Sequence, residues 1–363
     1  MSTRPPTRIV VLGGGFAGIY AVMELERLLG RDRDVEITLV NKDNFFVFTP
    51  MLHEVAASDL DLTHIVNPIR KLLRHAAFFH GDVLEIDLED KAVVVAHGVE
   101  GSHPHRLEYD HLVLALGAVT NFFGTPGLAE RAFTMKTLGD AIALRNRIID
   151  SLEEGDFECC PSVRRRMLTF VVAGGGFAGV ETVAAVHDFL RDALHHYPHL
   201  QPADVRVVLV HPGAVILPEL SERLGRYAQK KLAARGIELR LETKVQGFSG
   251  DGVELSDGTL IEIANLVWTA GTAPHPLIAQ LACAKDRGRV VVDEFLQVPD
   301  WSGVWSLGDC ACVPETAALA DEVAGAACIQ HGPDRGQMPD RPSTTSGWVD
   351  HDGKRSDHGN LHV

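Results

Sequence analysis

Two glycine-rich stretches carry the residue types and spacing most suited to chemistry. Residues 10–22 read VVLGGGFAGIYAV and residues 171–183 read VVAGGGFAGVETV, with nine of thirteen positions identical at an offset of 161. Gly13, Gly15 and Gly18 fit G-x-G-x-x-G in the first copy; Gly174, Gly176 and Gly179 fit it in the second. Gly14, Phe16, Ala17, Phe177 and Ala178 fill the spaces between. The pattern suits a pyrophosphate. The first glycine permits a tight turn out of a strand, and the second lets the backbone approach a phosphate with no Cβ in the way. The third lets the following helix pack closely on the strand. The helix start then offers free N–H groups and partial positive charge. One such motif is weak evidence; two in one chain, each in the same setting, point to two dinucleotide sites rather than to bare glycine turns.

The elements that must hold these turns can be read from the same sequence. Ile9 to Leu12 is a short, β-branched apolar run and predicts a buried strand. Phe16 to Leu29 has helical spacing and ends at Gly30, and Val35 to Val40 predicts a second strand. In the second copy the strand is Thr169 to Ala173, the helix runs to about His195, and the next strand is Val205 to Val210. An acid is expected at the end of the second strand, to hold ribose hydroxyls. Asn41, followed by Lys42, and His211 stand there instead. Neither carries the charge that would repel a 2′-phosphate, so NADH and NADPH both stay open.

Composition narrows the classes. The chain has 363 residues, 45% hydrophobic and 23% charged, enough for two or three domains with sizeable cores. No apolar run is long enough to span a membrane, and the N-terminus lacks the apolar core of a secretory signal. A net charge of −15 argues against non-specific nucleic-acid binding. None of the six cysteines forms a C-x-x-C pair, so free thiols in a reducing cytoplasm are expected. His195-His196 reads as a polar helix end and Cys310-x-Cys312 as packing.

Further motifs carry a family resemblance. WSGVWSLGD at 301–309 resembles the second flavin motif of two-dinucleotide-binding flavoproteins, which implies that Gly308 and Asp309 meet the ribityl chain. Tyr109 to Gly117, with Ala115 and Gly117, and Leu266 to Gly271, with Ala270 and Gly271, resemble the strands that close the two domains. Gly81-Asp82-Val83 lies where this family meets the adenine. The loop Asp43 to Ala56 and the segment Thr134 to Leu138 before a polar helix 139–150 are similar to type II NADH dehydrogenases, the single-chain, non-proton-pumping NADH:quinone oxidoreductases. The similarity covers about residues 7–316.

The resemblance implies an α/β fold with two Rossmann-like dinucleotide-binding domains. A discontinuous FAD-binding domain is expected at 1–120 and 290–330, and an NAD(P)H-binding domain at 150–275. It implies FAD in the first site, NADH or NADPH in the second, and a quinone as electron acceptor. It also implies a peripheral place on the cytoplasmic face of the inner membrane and a homodimer. Glu181, two residues after Gly179, matches a family carboxylate near the quinone and is the candidate catalytic residue. Its other reading is an acid stabilised by the helix dipole. Lys136 reads as a flavin contact, as a support for Glu181, or as a solvated lysine. The alternatives are a sulfide:quinone oxidoreductase, for which Cys160 and Cys328 are the positional candidates, and a nucleotide-binding redox sensor without turnover.

The C-terminus departs from the family. No Ala-Gln-x-Ala-like segment and no amphipathic anchor follow Asp309. Residues 331–363 hold five apolar side chains among 33, so a disordered tail is expected, as from a truncated or frame-shifted family member or from a natural soluble relative with a different acceptor.

Overall fold

The computed structural model describes residues 5–98, 101, 103–263 and 265–314. The tail and Cys328 therefore lie outside the described residues.

The duplication seen over thirteen residues extends across two whole sheets. The first is a five-stranded parallel sheet in the order Val304–Ser306, His111–Leu114, Thr7–Leu12, Val35–Asn41 and Ala77–His80. The second has the order Phe133–Thr134, Asn265–Trp268, Thr169–Ala173, Arg206–Val210 and Glu238–Arg240, again parallel. In each, the strand before the glycine turn is central, flanked by the strand after the helix and by a strand that returns from a three-stranded antiparallel meander. The meanders are Asp82–Asp87, Ala92–His97 and His103–Glu108 in the first half, and Val245–Ser249, Gly252–Leu255 and Leu260–Glu262 in the second. Central parallel strands are covered on both faces, so they read as unbroken apolar runs. Val11, Leu12, Val171 and Val172 are fully buried.

The helices after the turns are Phe16–Leu29 and Phe177–Ala193, close to the predicted bounds. The helix expected over 139–150 as a polar element spans Leu138–Phe157. Its fully buried Ala141, Leu144, Ile148 and Leu152 recur at three- and four-residue intervals and form an apolar stripe. A capping box starts it. The Asp140 N–H donates to Thr137 Oγ1 at 3.1 Å, and the Thr137 N–H donates to Asp140 Oδ2 at 2.8 Å. The Lys136 N–H also donates to Asp140, which holds the backbone at Lys136 against the helix start.

A strand pairing and a docked helix are among the contacts that tie the halves together. Ala118–Thr120 pairs antiparallel with Thr272–Pro274. The short helix Leu52–Ala56, from the first half, buries Leu52, Val55 and Ala56 in the core of the second, against Leu144, Ile148 and Val183.

Candidate active site

A cavity of about 630 Å³ lies where the two halves meet. The first half contributes Gly13, Gly14, Gly15, Phe16, Ala17, Asn41, Ala115 and Gly117. Gly308 and Asp309 close it from the strand Val304–Ser306. The second half contributes Phe177, Ala178 and Glu181 from the start of its helix, and Gly271 after the strand Asn265–Trp268. Gly174, Gly176, Gly179, Ala270 and His211 lie outside this lining, on the second glycine loop and the strand ends beside it. Val83 and Lys42 are also outside it; Val83 is buried in a meander strand, and the Lys42 carbonyl is bonded to His80.

The glycines divide by role. A Cβ on Gly18 would sit 1.8 Å from the Gly13 carbonyl oxygen, and a Cβ on Gly179 would meet Gly174 at the same distance. Each third glycine therefore serves helix-on-turn packing. A Cβ on Gly15 would meet nothing within 4 Å, and its φ of −79° suits any residue. That open space is what a pyrophosphate needs in order to reach the helix N-terminus, so the residues present fit a dinucleotide such as FAD.

The two strand-end residues turn onto the loops. Asn41 Oδ1 accepts from the Gly14 N–H at 2.8 Å, while its amide donates to the Asp43 carbonyl at 2.9 Å. His211 Nδ1 accepts from the Gly175 N–H at 3.1 Å. Its Nε2 lies 3.1 Å from the Val215 carbonyl, which fixes the neutral tautomer with the proton on Nε2. Where a free carboxylate would await a ribose, each repeat has a side chain that braces its own phosphate loop. Burial lowers the His211 pKa, in keeping with a ring that must accept at Nδ1.

An ion pair and a carboxylate–imidazole contact border the cavity. Lys136 Nζ stands 3.7 Å from Asp309 Oδ2, joining the segment before the capped helix to the Gly-Asp turn. Glu181 Oε2 stands 3.6 Å from His53 Nδ1, and His53 Nε2 is 3.3 Å from Glu54. Glu181 is 44% exposed and so reaches both cavity and solvent. No role for His53 is legible in the sequence. The helix Leu52–Ala56 brings it there by docking into the second half, and no local pattern signals a partner 128 positions away. Thr49, Pro50, Met135 and Trp268, which also line the cavity, were likewise unassigned.

The phenylalanines of the 43–56 loop separate. Phe46 is buried with its ring edge-on to Phe16 at 5.0 Å, whereas Phe48 is exposed. Cys310 is fully buried, with Sγ 3.2 Å from the Leu307 carbonyl, and burial raises its thiol pKa, so it packs. Cys160 is exposed and does not line the cavity. Among the described residues no cluster of His, Cys, Asp or Glu is arranged to hold a metal, and no helix is long and apolar enough to cross a membrane.

Residues 7–324 match the pyridine nucleotide-disulphide oxidoreductase family. The chain belongs to that family. It is 32% identical over 334 residues to the type II NADH:quinone oxidoreductase Ndh of Mycobacterium tuberculosis, covering 88% of this chain and 70% of that protein. It is 30% identical to the mitochondrial external alternative NAD(P)H-ubiquinone oxidoreductase B4 of Arabidopsis thaliana, over 87% of this chain. There it spans only 56% of the relative's length. The fold matches NDH2 of Plasmodium falciparum, solved in complex with NADH, with a TM-score of 0.78 at 22% identity. That match covers 85% of this chain and 65% of the other. The two-domain flavoprotein fold and the type II NADH dehydrogenase resemblance thus agree with the relatives.

The glycine roles predict opposite outcomes for one substitution. Gly18→Ala should destabilise the fold by about 2–3 kcal/mol, because a backbone carbonyl blocks the methyl. Gly15→Ala should cost about 1 kcal/mol or less yet weaken flavin binding about tenfold or more, as denaturant titration and flavin titration would show. Equal stability losses with flavin binding intact would contradict the assignment. A second prediction concerns pH. The folded chain holds His211 less readily protonated than the unfolded chain, so this group's stabilisation is present above the ordinary histidine range and lost as pH falls through it. Burial lowers the pKa of His111 and His275 as well. The melting temperature should fall from about pH 7.5 to about pH 5.5, and less steeply in His211→Asn, which keeps an acceptor for Gly175 as Asn41 does for Gly14. An identical slope in the variant would refute the role given to His211.

Proposed function

We propose that the chain is an FAD-dependent NAD(P)H dehydrogenase that delivers electrons to a quinone. The observation that carries this reading is the one cavity shared by both repeats, with the first glycine loop on one wall and the start of the second glycine helix on the other. Bound FAD would supply the redox chemistry, taking a hydride from the nicotinamide and passing two electrons to an acceptor. On this reading the first loop, Asn41, Lys42, Val83, Ala115, Gly117, Gly308 and Asp309 hold FAD. The second loop, braced by His211, holds the nicotinamide nucleotide together with Ala270 and Gly271. FAD-binding segments at 1–120 and 290–330 around an NAD(P)H-binding segment at 150–275 belong to the same reading. The strand Val304–Ser306, which joins the first sheet, supports it.

The chain's part is mainly geometric. The helix starts face one space, so two reactants bound on them are held together, and orientation replaces acid–base work for the hydride step. Lys136 is held by the bond from its backbone N–H to the Asp140 carboxylate and by the Asp309 pair, which places a positive charge beside the Gly-Asp turn. Quinol formation takes two electrons and two protons. One proton arrives with the hydride and the other comes from solvent. Glu181, half exposed and paired with His53, is the carboxyl placed to pass it on. The names of the mycobacterial and plant relatives support quinone as the acceptor. A peripheral membrane position and a homodimer belong to the same reading and rest on the resemblance.

Mixing the flavin-loaded protein with NADH without oxygen should bleach the flavin band. Glu181→Gln should bleach equally fast and reduce ferricyanide, which needs no proton, at the normal rate, while quinone reduction falls by about a hundredfold. A flavin band unchanged by both nicotinamide nucleotides would contradict the reading, and bleaching with no acceptor reduced would point to a redox sensor.

A further inference from the structure

The second glycine loop lacks the strand-end acid, yet a carboxylate reaches it from elsewhere. His211, which stands in the acid's place, has both ring nitrogens engaged, one by Gly175 and one by Val215. The chain then turns back on the loop. The Leu217 N–H donates to the Gly175 carbonyl at 2.6 Å, and the Leu220 N–H closes the turn onto the Leu217 carbonyl at 2.9 Å. Leu217 is buried and takes a left-handed φ of 55°, which a branched residue adopts only when its surroundings impose it. The anchored turn carries Glu219. Its Oε1 is 3.5 Å from the point where a Cβ on Gly176 would be, and its charge raises the tendency of His211 to hold a proton. One exposed carboxylate therefore lies beside the second glycine of the fingerprint and close enough to the strand end for His211 to feel its charge.

We propose that Glu219 replaces the missing strand-end acid and makes the second site select NADH over NADPH. The proposal rests on the reading of that loop as the nicotinamide-nucleotide site. The carboxylate can accept from the two hydroxyls of an unmodified adenosine ribose. A 2′-phosphate would bring a second negative charge against it. The cation nearest the strand end in register does not offset this. Arg240, paired with Val210 on the neighbouring strand, has its guanidinium held 2.6 Å from Glu238, which also binds Arg206 at 2.8 Å. Burial raises the Glu238 pKa, but these two arginines outweigh it and keep the carboxyl ionised.

The test is equilibrium binding of NADH, NADPH, 5′-AMP and 2′,5′-ADP to the purified full chain, followed by ligand fluorescence and calorimetry. The wild type should bind NADH at least about tenfold more tightly than NADPH, and 5′-AMP more tightly than 2′,5′-ADP. Glu219→Gln should bring NADPH to within about threefold of NADH, and Glu219→Arg should reverse the order. Because Glu219 is exposed, both variants should keep the circular dichroism spectrum and melting temperature of the wild type. Equal wild-type affinities, or an unchanged ratio in both variants, would overturn the proposal. Failure of all four ligands to bind would overturn the reading of the loop itself.

Discussion

The close approach of each glycine helix to its own turn is the constraint on which the rest depends. The distance from a Gly18 Cβ to the Gly13 carbonyl, 1.8 Å, is matched by that from Gly179 to Gly174. No side chain larger than hydrogen fits, so the helix lies directly on the end of the central strand. From that contact follow the direction of the helix axis, the exposure of its N-terminal N–H groups, and the open space at Gly15. The central strand, its two parallel neighbours and the antiparallel meander then repeat around the same contact in both halves. Thirteen similar residues thus mark a duplication whose remaining sequence has diverged.

The halves would be two separate nucleotide sites if nothing joined them. The helix Leu52–Ala56 changes that, because its apolar side is buried in the second core while its polar side presents His53 to Glu181. The Ala118–Thr120 and Thr272–Pro274 pairing crosses between the halves near the cavity, whose lining includes Ala118, Thr120 and Thr272. A shared wall is what lets a donor on one loop and an acceptor on the other react without leaving the protein.

Much of this was legible in the sequence, for reasons that can be stated. Central parallel strands are apolar throughout, so Ile9 to Leu12 and Thr169 to Ala173 were plain, and the glycine turns fixed where the helices begin. The helix 138–157 runs past the end expected at 150, because Ser151, Glu153, Glu154, Gly155 and Asp156 resemble a polar loop in sequence while Leu152 among them continues the buried stripe. Asn41 and His211 were placed at the correct strand ends, but their bonding could not be read. Whether such a side chain faces a ribose or its own loop depends on which N–H lies in reach, which only the folded turn settles. The His53–Glu181 pair and the approach of Glu219 to Gly176 are long-range or turn-dependent, with no periodic trace.

The central claim is that the two glycine loops serve two different dinucleotides that meet in one cavity. Hydrogen–deuterium exchange on the whole chain tests it most directly. Adding FAD should protect the backbone amides of residues 13–18 and 308–309, and adding NADH to the flavin-loaded protein should then protect residues 174–179. Protection of the same loop by both ligands, or of neither loop by either, would contradict the account.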